Sequence, residues 1–188
     1  MLQASLTKTL NFIMQKILTR PSWQIFLLWM LPVLFPSSLF GLILTITWMA
    51  LMSYCIYFLC DNLYQKLPAG HDLNFKRFQF NFFFVVLYLS FVFIVFEGGY
   101  EINQDNYKDF GWTIFIILPL HIYMMYCLFY IIWFIAKSIA TIENNNVVAF
   151  EKYVSNFFLL WFFPFGIFWV HPKVRKIFSV DTESQPTT

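Results

Sequence analysis

The chain has 188 residues, of which 60% are hydrophobic and only 12% are charged. Soluble domains carry about a quarter charged residues, so this composition excludes an ordinary water-soluble domain and indicates an integral membrane protein. The formal net charge of +2 is too small to indicate nucleic-acid binding, and no direct contact with nucleic acid is expected. The length fits a single membrane domain, residues 1–188.

The first twenty residues predict an amphipathic helix. Its apolar residues recur at helical spacing on one narrow face: Leu2, Leu6, Leu10, Ile13 and Ile17. A helix over residues 1–20 with this pattern either lies in the membrane interface or packs on the cytoplasmic side of the protein itself. Both interpretations remain open.

Residues 23–60 contain no charged side chain. This stretch is too long for one comfortable membrane span and slightly short for two, because each span needs about 17–25 residues. Pro36 and the two serines after it interrupt the stretch with residues typical of turns. We predict a helical hairpin with a short first span over residues 23–36 and a second span over residues 39–60.

Two further spanning helices are predicted over residues 80–96 and 112–136. The last apolar run is shorter, and Pro164 and Gly166 interrupt it with residues that break helices. We therefore predict that residues 153–178 form a re-entrant or interfacial segment. The polar residues 179–188 are expected to be a disordered tail.

The distribution of basic residues predicts the orientation. Every Lys and Arg except Lys108 lies before residue 21, within residues 61–79 or after residue 136. Lys and Arg near span ends favour the cytoplasm, and a hairpin over residues 23–60 keeps all three segments on that side. The predicted architecture is all-α, with four transmembrane helices, both termini cytoplasmic, and a location in the bacterial cytoplasmic (inner) membrane.

The predicted fourth span carries the polar side chains of greatest interest. His121 follows Pro119 by two residues, and an ionisable group inside a span indicates a proton relay or a ligand site. The alternative is a neutral histidine bonded to a carbonyl that the proline leaves free. On the opposite face, Tyr123, Tyr126 and Tyr130 recur at helical spacing, where they either line a polar seam between helices or serve in packing.

The basic side chains near the end of the chain are Lys173, Arg175 and Lys176. They either contact lipid phosphates at the membrane surface or act only as a topological signal. No catalytic, nucleotide-binding or metal-binding motif is present, and the three cysteines lack metal-site spacing. We therefore predict a protein that is not an enzyme and that has no cofactor and no metal site.

The C-terminal motif over residues 158–173 reads Phe-Leu-Leu-Trp-Phe-Phe-Pro-Phe-Gly-Ile-Phe-Trp-Val-His-Pro-Lys. It resembles the ends of an uncharacterised family of small multi-pass bacterial membrane proteins, which read much like L-I-W-F-F-P-I-G-I-W-x-x-Q-P-K. His171 stands where that family usually has Gln. The resemblance implies the multi-pass architecture and no known activity.

These observations predict a non-enzymatic accessory or scaffolding subunit. Its expected partners are the lipid bilayer and other membrane or cytoplasmic proteins, or a second copy of the chain. A small transporter or channel is the alternative, in which His121 and the three tyrosines line the path. In size and pass count the chain is also similar to the four-pass accessory membrane protein of type VI-B CRISPR antiviral loci, which is a further alternative.

Overall fold

The computed structural model of the chain describes residues 20–31, 39–97, 107–162 and 165–183. In these ranges the protein is helical, and no strand is present. The helices are α1 Ser22–Met30, α2 Leu39–Gln65, α3 Phe75–Glu97, α4 Tyr107–Asn144, α5 Phe150–Trp161 and α6 Ile167–Glu183. The predicted all-α class is confirmed. The predicted amphipathic helix over residues 1–20 lies, except for Arg20, outside the described residues.

Three of the described helices are long and apolar enough to cross a membrane: Phe40–Gln65, Phe75–Val95 and Phe115–Asn144. The shortest has 21 residues, which corresponds to about 30 Å of α-helix, the thickness of a bilayer core. α1 has only nine residues, and the predicted first span continues into residues that are not described. A fourth span therefore stays a prediction.

The spanning helices extend beyond their predicted ends. α3 begins five residues before the predicted span, and α4 includes additional residues on both sides. A hydropathy pattern marks only the apolar part of a helix, whereas polar residues can continue it. At the start of α3, the side-chain oxygen of Asn74 accepts a hydrogen bond from the backbone N–H of Arg77 at 3.1 Å. This contact caps the helix and fixes where it begins.

The chain divides into two compact units. The first unit contains Met1–Leu73 and Ile135–Thr188, and the second contains Asn74–Phe134. In the first unit, every side chain of α4 from residue 135 to residue 141 is buried. Protein therefore surrounds this end of α4 on all sides, as for a helix in the core of a globular domain.

Helix α1 contacts two other helices of the first unit, α6 and α2. The ring of Phe26 packs against Phe168 of α6 at 5.5 Å between centroids. The indole N–H of Trp48 in α2 donates to the carbonyl oxygen of Leu28 at 3.0 Å. The same carbonyl also accepts the backbone N–H of Leu31, so the indole adds a second hydrogen bond near the end of α1.

A tight turn separates α5 from α6. The backbone N–H groups of Phe165 and Gly166 both donate to the carbonyl oxygen of Phe162. Gly166 is buried, and a Cβ atom at this position would overlap the backbone carbonyl of Leu159. The break predicted at Pro164 and Gly166 thus contains a position where the backbone approaches closely, although Pro164 lies outside the described residues.

The two C-terminal helices contain 12 and 17 residues, and neither is among the helices long enough to span a membrane. Whether residues 153–178 re-enter the membrane or lie at its surface stays a prediction. Helix α6 continues to Glu183, so residues 179–183, which we predicted to belong to a disordered tail, are helical. Extension of an existing helix is much easier than its initiation, and Phe178 in the preceding turn is buried.

In the second unit, α3 packs antiparallel to residues 121–134 of α4. The ring of Phe78 stacks on Phe134 at 4.7 Å and on Phe82 at 5.7 Å between centroids. Further along, Phe84 meets Tyr123 edge to face at 4.7 Å. Aromatic side chains therefore set the register of the two helices.

We predict that Gly166→Ala destabilises the protein more than Gly70→Ala does. The new methyl group at residue 166 would meet backbone atoms, which cannot rotate away, so overpacking should cost about 1–3 kcal/mol or more. Gly70 has φ of +85° and nothing near its Cβ position, so alanine there should cost only about 1 kcal/mol of backbone strain. Thermal unfolding of both purified variants in detergent measures the difference, and equal melting temperatures would contradict the close packing of Gly166.

Candidate functional site

Polar contacts between α3 and α4 form the candidate site. They join Tyr88 to His121, Asn81 to Cys127 and Arg77 to Tyr126. Residues 77, 81 and 88 recur at intervals of one and two turns on α3, which places their side chains on one face of that helix. We call these six residues the polar ladder.

The contact of His121 lies far from either end of the pair. The hydroxyl oxygen of Tyr88 and Nδ1 of His121 are 3.0 Å apart. Tyr88 is about 20 Å along the helix from Phe75 and about 10 Å from Val95, at 1.5 Å per residue. The tyrosine is buried, whereas His121 is exposed. The contact holds the imidazole through one ring nitrogen, Nδ1.

The proline near His121 does not determine this contact. Helix α4 continues through Pro119, and Nδ1 of His121 contacts a side chain of the neighbouring helix instead of a backbone carbonyl. Tyr88 was not among the predicted site residues. The signal that was available is the spacing of Tyr88 from Arg77 and Asn81, but it becomes informative only once the register of the two helices is known.

The tyrosines of α4 are organised around Arg77. Its Nη2 donates to the hydroxyl of Tyr126 at 2.7 Å, and its guanidinium lies 5.3 Å from the ring centre of Tyr130. Tyr123 stacks on Tyr126 with 6.0 Å between ring centroids. The structure thus places all three tyrosines near α3 and adds Arg77, which was not among the predicted site residues.

Asn81 occupies the middle of the ladder. It is 2% exposed, and its side-chain oxygen accepts a hydrogen bond from the thiol of Cys127 at 3.5 Å. Its amide nitrogen has no partner among the described residues. A buried donor without a partner costs about 1–3 kcal/mol, so packing alone does not account for an asparagine at this position.

Lys137 belongs to the first unit and has a different environment. Its ammonium group lies 2.6 Å from a carboxylate oxygen of Asp72 and 5.8 Å from the ring centre of Tyr153. Lys137 is buried, whereas the side chain of Asp72 is 56% exposed. The hydrogen bond from Lys137 lowers the pKa of Asp72 below its ordinary value. This pair stabilises the charge of a lysine that the protein encloses.

The C-terminal basic residues do not act as one patch. The ammonium group of Lys173 donates to the side-chain oxygen of Asn156 at 2.8 Å and lies 3.8 Å from a carboxylate oxygen of Glu143. Arg175 and Lys176 are exposed. The structure therefore turns the partly exposed side chain of Lys173 toward α5 and α4, whereas the prediction grouped it with Arg175 and Lys176.

The described residues contain no group of three His, Cys, Asp or Glu side chains that could hold a metal ion. No protein-family model, curated protein or solved structure matches the chain. The resemblances of the C-terminal motif and of the pass count to known groups of membrane proteins stay predictions.

We predict that Asp72→Asn destabilises the protein more than the double substitution Lys137→Met with Asp72→Asn. The single variant leaves a buried ammonium group without its counter-charge, whereas the double variant removes the buried charge as well. Because more than half of the Asp72 side chain is exposed, solvent screens the pair, and we expect a loss of about 1 kcal/mol for the single variant.

The same pair predicts a dependence on pH. The folded state lowers the pKa of Asp72 below 3.8, so the stabilisation is complete at neutral pH and disappears as the pH falls through the lowered pKa. Melting temperatures of the wild type and of Asp72→Asn should therefore differ at pH 7 and converge in strong acid. A difference that is unchanged over this range would show that the carboxylate charge is not the cause.

Proposed function

We propose that the chain is a non-enzymatic accessory subunit of the cytoplasmic membrane, which binds a partner membrane protein through the surface of α4 around His121. The observation that carries this proposal is an exposed imidazole, held by Tyr88, well inside a helix pair of membrane-spanning length. The remaining polar side chains of the ladder contact one another, as is typical of packing between membrane helices.

The membrane environment explains why such an imidazole favours a protein partner. Hydrocarbon offers no hydrogen-bond partner, so polar groups inside a span usually face protein or a water-filled cavity. A partner helix with a polar side chain at this depth would pair with Nε2 of His121. Such an interhelical hydrogen bond contributes about 0.6–2 kcal/mol, enough to select a binding register.

Apolar side chains beside His121 would supply the rest of the contact. Leu118 and Ile122 are 56% and 62% exposed and lie within about 100° of His121 around the helix, at 100° per residue. Close packing of such side chains drives association of membrane helices. The proposed surface therefore combines one polar group that sets the register with an apolar surface that contributes packing.

The proposed topology has four spans with both termini cytoplasmic. It is supported by the three described spanning helices and by the position of nearly all basic residues in the segments that this topology places inside. A cysteine introduced by Asn103→Cys should react with a membrane-impermeant thiol reagent added outside intact cells. The unsubstituted chain is the control for its native cysteines, and labelling that requires broken cells would contradict the topology.

Photocrosslinking in native membranes tests the binding surface. A photoreactive residue at position 118 lies within about 60° of His121 around the helix, whereas one at position 116 lies about 140° away. Both positions are exposed, at 56% and 66%, and they are two residues apart, so their membrane depths match. We expect a defined protein adduct from position 118, a much weaker one from position 116, and loss of the first adduct on His121→Ala.

Two outcomes would contradict the proposal. Equal adducts from both positions, or an adduct that His121→Ala leaves unchanged, would exclude a register set by His121. An adduct with twice the chain mass of 22.6 kDa would instead show that the surface binds a second copy.

A small transporter is the second candidate, because the Tyr88–His121 contact is a possible element of a proton path inside a span. In that case the purified protein in liposomes should conduct protons above the level of empty liposomes. His121→Ala and Tyr88→Phe should each abolish the flux, and Ile116→Ala should leave it unchanged. Absence of flux from the unsubstituted protein would exclude this candidate.

A further inference from the structure

Arg77 lies at the end of the α3–α4 pair and belongs to a different level from His121. It is two residues from the start of the candidate span Phe75–Val95, a distance of about 3 Å along the helix. Its side chain is exposed. If Phe75–Val95 crosses the bilayer, this position is level with the lipid headgroups.

Two tyrosines fix the guanidinium group of Arg77. One N–H group donates to the hydroxyl of Tyr126 at 2.7 Å, and the guanidinium lies 5.3 Å from the ring centre of Tyr130. A guanidinium has five N–H donors in a planar fork, so most of them remain for a ligand. These contacts already order the long, flexible side chain of Arg77, so less conformational entropy is lost when a ligand binds.

The hydroxyl of Tyr126 adds a second donor to the same place. Its oxygen accepts the hydrogen bond from Arg77, so its own proton is directed elsewhere. Tyr126 is 44% exposed, and a ligand can therefore reach this hydroxyl. Arg77 and Tyr126 together present a fork of N–H donors beside one O–H donor, a set that matches the oxygens of a phosphate.

The charge of Arg77 is not balanced within the described residues. The buried Lys137 has the carboxylate of Asp72, and Lys173 has that of Glu143. No described carboxylate forms an ion pair with Arg77, and the neighbouring Lys76 is exposed as well. An anionic group is therefore the occupant that this end of the pair favours.

We propose that Arg77 and Tyr126 bind the phosphate of an anionic lipid headgroup. A lipid phosphate is favoured because Arg77 lies two residues from the end of a candidate span, where its exposed side chain and that of Lys76 place two positive charges near the membrane surface. Such a lipid would hold the end of α3–α4 at a defined depth. The inference does not depend on the partner surface around His121, which lies elsewhere on the pair.

Lipid titration of the purified full chain, followed by native mass spectrometry, tests the site. In a neutral detergent, the wild type should bind one phosphatidylglycerol at least tenfold more tightly than phosphatidylcholine. Arg77→Gln should weaken phosphatidylglycerol binding by about tenfold or more, as expected for the loss of charge-assisted hydrogen bonds. Tyr126→Phe, which keeps the ring, should weaken it by a smaller factor of about three to tenfold.

Lys152→Gln is the matched control, because Lys152 is also an exposed basic residue, on α5. It should leave phosphatidylglycerol binding unchanged. Equal losses for Arg77→Gln and Lys152→Gln would overturn the proposal, because they would show attraction to the overall positive charge alone. An unchanged affinity for Tyr126→Phe in a folded protein would also overturn it, and this variant serves if Arg77→Gln does not fold.

Two further results would contradict a lipid ligand. Displacement of phosphatidylglycerol by excess inorganic phosphate would show a site for the free ion. Equal affinity of the wild type for phosphatidylglycerol and phosphatidylcholine would exclude headgroup charge as the determinant and leave an acidic side chain of a partner protein as the occupant. The proposed partner surface is unaffected by either result, since its test measures adducts around His121.

Discussion

Hydrogen bonding inside hydrocarbon constrains the α3–α4 pair more than any other factor. A helix satisfies its own backbone, but it provides nothing for polar side chains that project from it. The polar ladder meets this requirement by pairing side chains of α3 with side chains of α4, at the levels of Arg77, Asn81 and Tyr88. Each contact depends on the same register, so a shift of one helix along the other would leave several polar groups without partners at once.

The aromatic side chains and the polar ladder support the same arrangement. Phe78 stacks on Phe134, and Phe84 packs edge to face against Tyr123. Along α3, Phe78 lies between Arg77 and Asn81, and Phe84 lies between Asn81 and Tyr88. The hydrophobic effect does not drive helices together in a membrane, because lipid tails are as apolar as the side chains. The specificity of helix packing there comes from shape and from the few polar contacts. The pair therefore combines many contacts that favour association with a few that select one register.

In the first unit, the main constraint is a buried charge. There α4 enters an environment in which every side chain from residue 135 to residue 141 is buried, and a buried lysine needs a counter-charge close by. Asp72, in the segment between α2 and α3, supplies it for Lys137. The same helix thus carries charge that the protein compensates in one unit, and polar groups that it leaves exposed in the other.

Particular residues show what the sequence can predict and where prediction ends. The apolar runs predicted the helical class and the approximate positions of three spanning helices, because length and hydropathy are local properties. His121 and the tyrosines could be identified as unusual for the same reason. Tyr88, Arg77 and Asp72 could not be assigned to their partners, because these contacts depend on the register between distant segments. The presence of Gly166 indicated a close approach of the backbone, but the sequence did not show that Leu159 is the residue approached.

The contact between Tyr88 and His121 also determines what the proposed partner surface can recognise. If the tyrosine hydroxyl donates to Nδ1, then Nε2 carries the proton of the neutral ring, and the exposed nitrogen is a donor. If instead Nδ1 donates to the hydroxyl oxygen, the exposed Nε2 is an acceptor. A partner must present a carbonyl or carboxylate in the first case and a hydroxyl or amide N–H in the second. The direction of this one hydrogen bond therefore distinguishes two classes of partner side chain, because it is coupled to the tautomer of the ring, and the tautomer determines whether Nε2 donates or accepts.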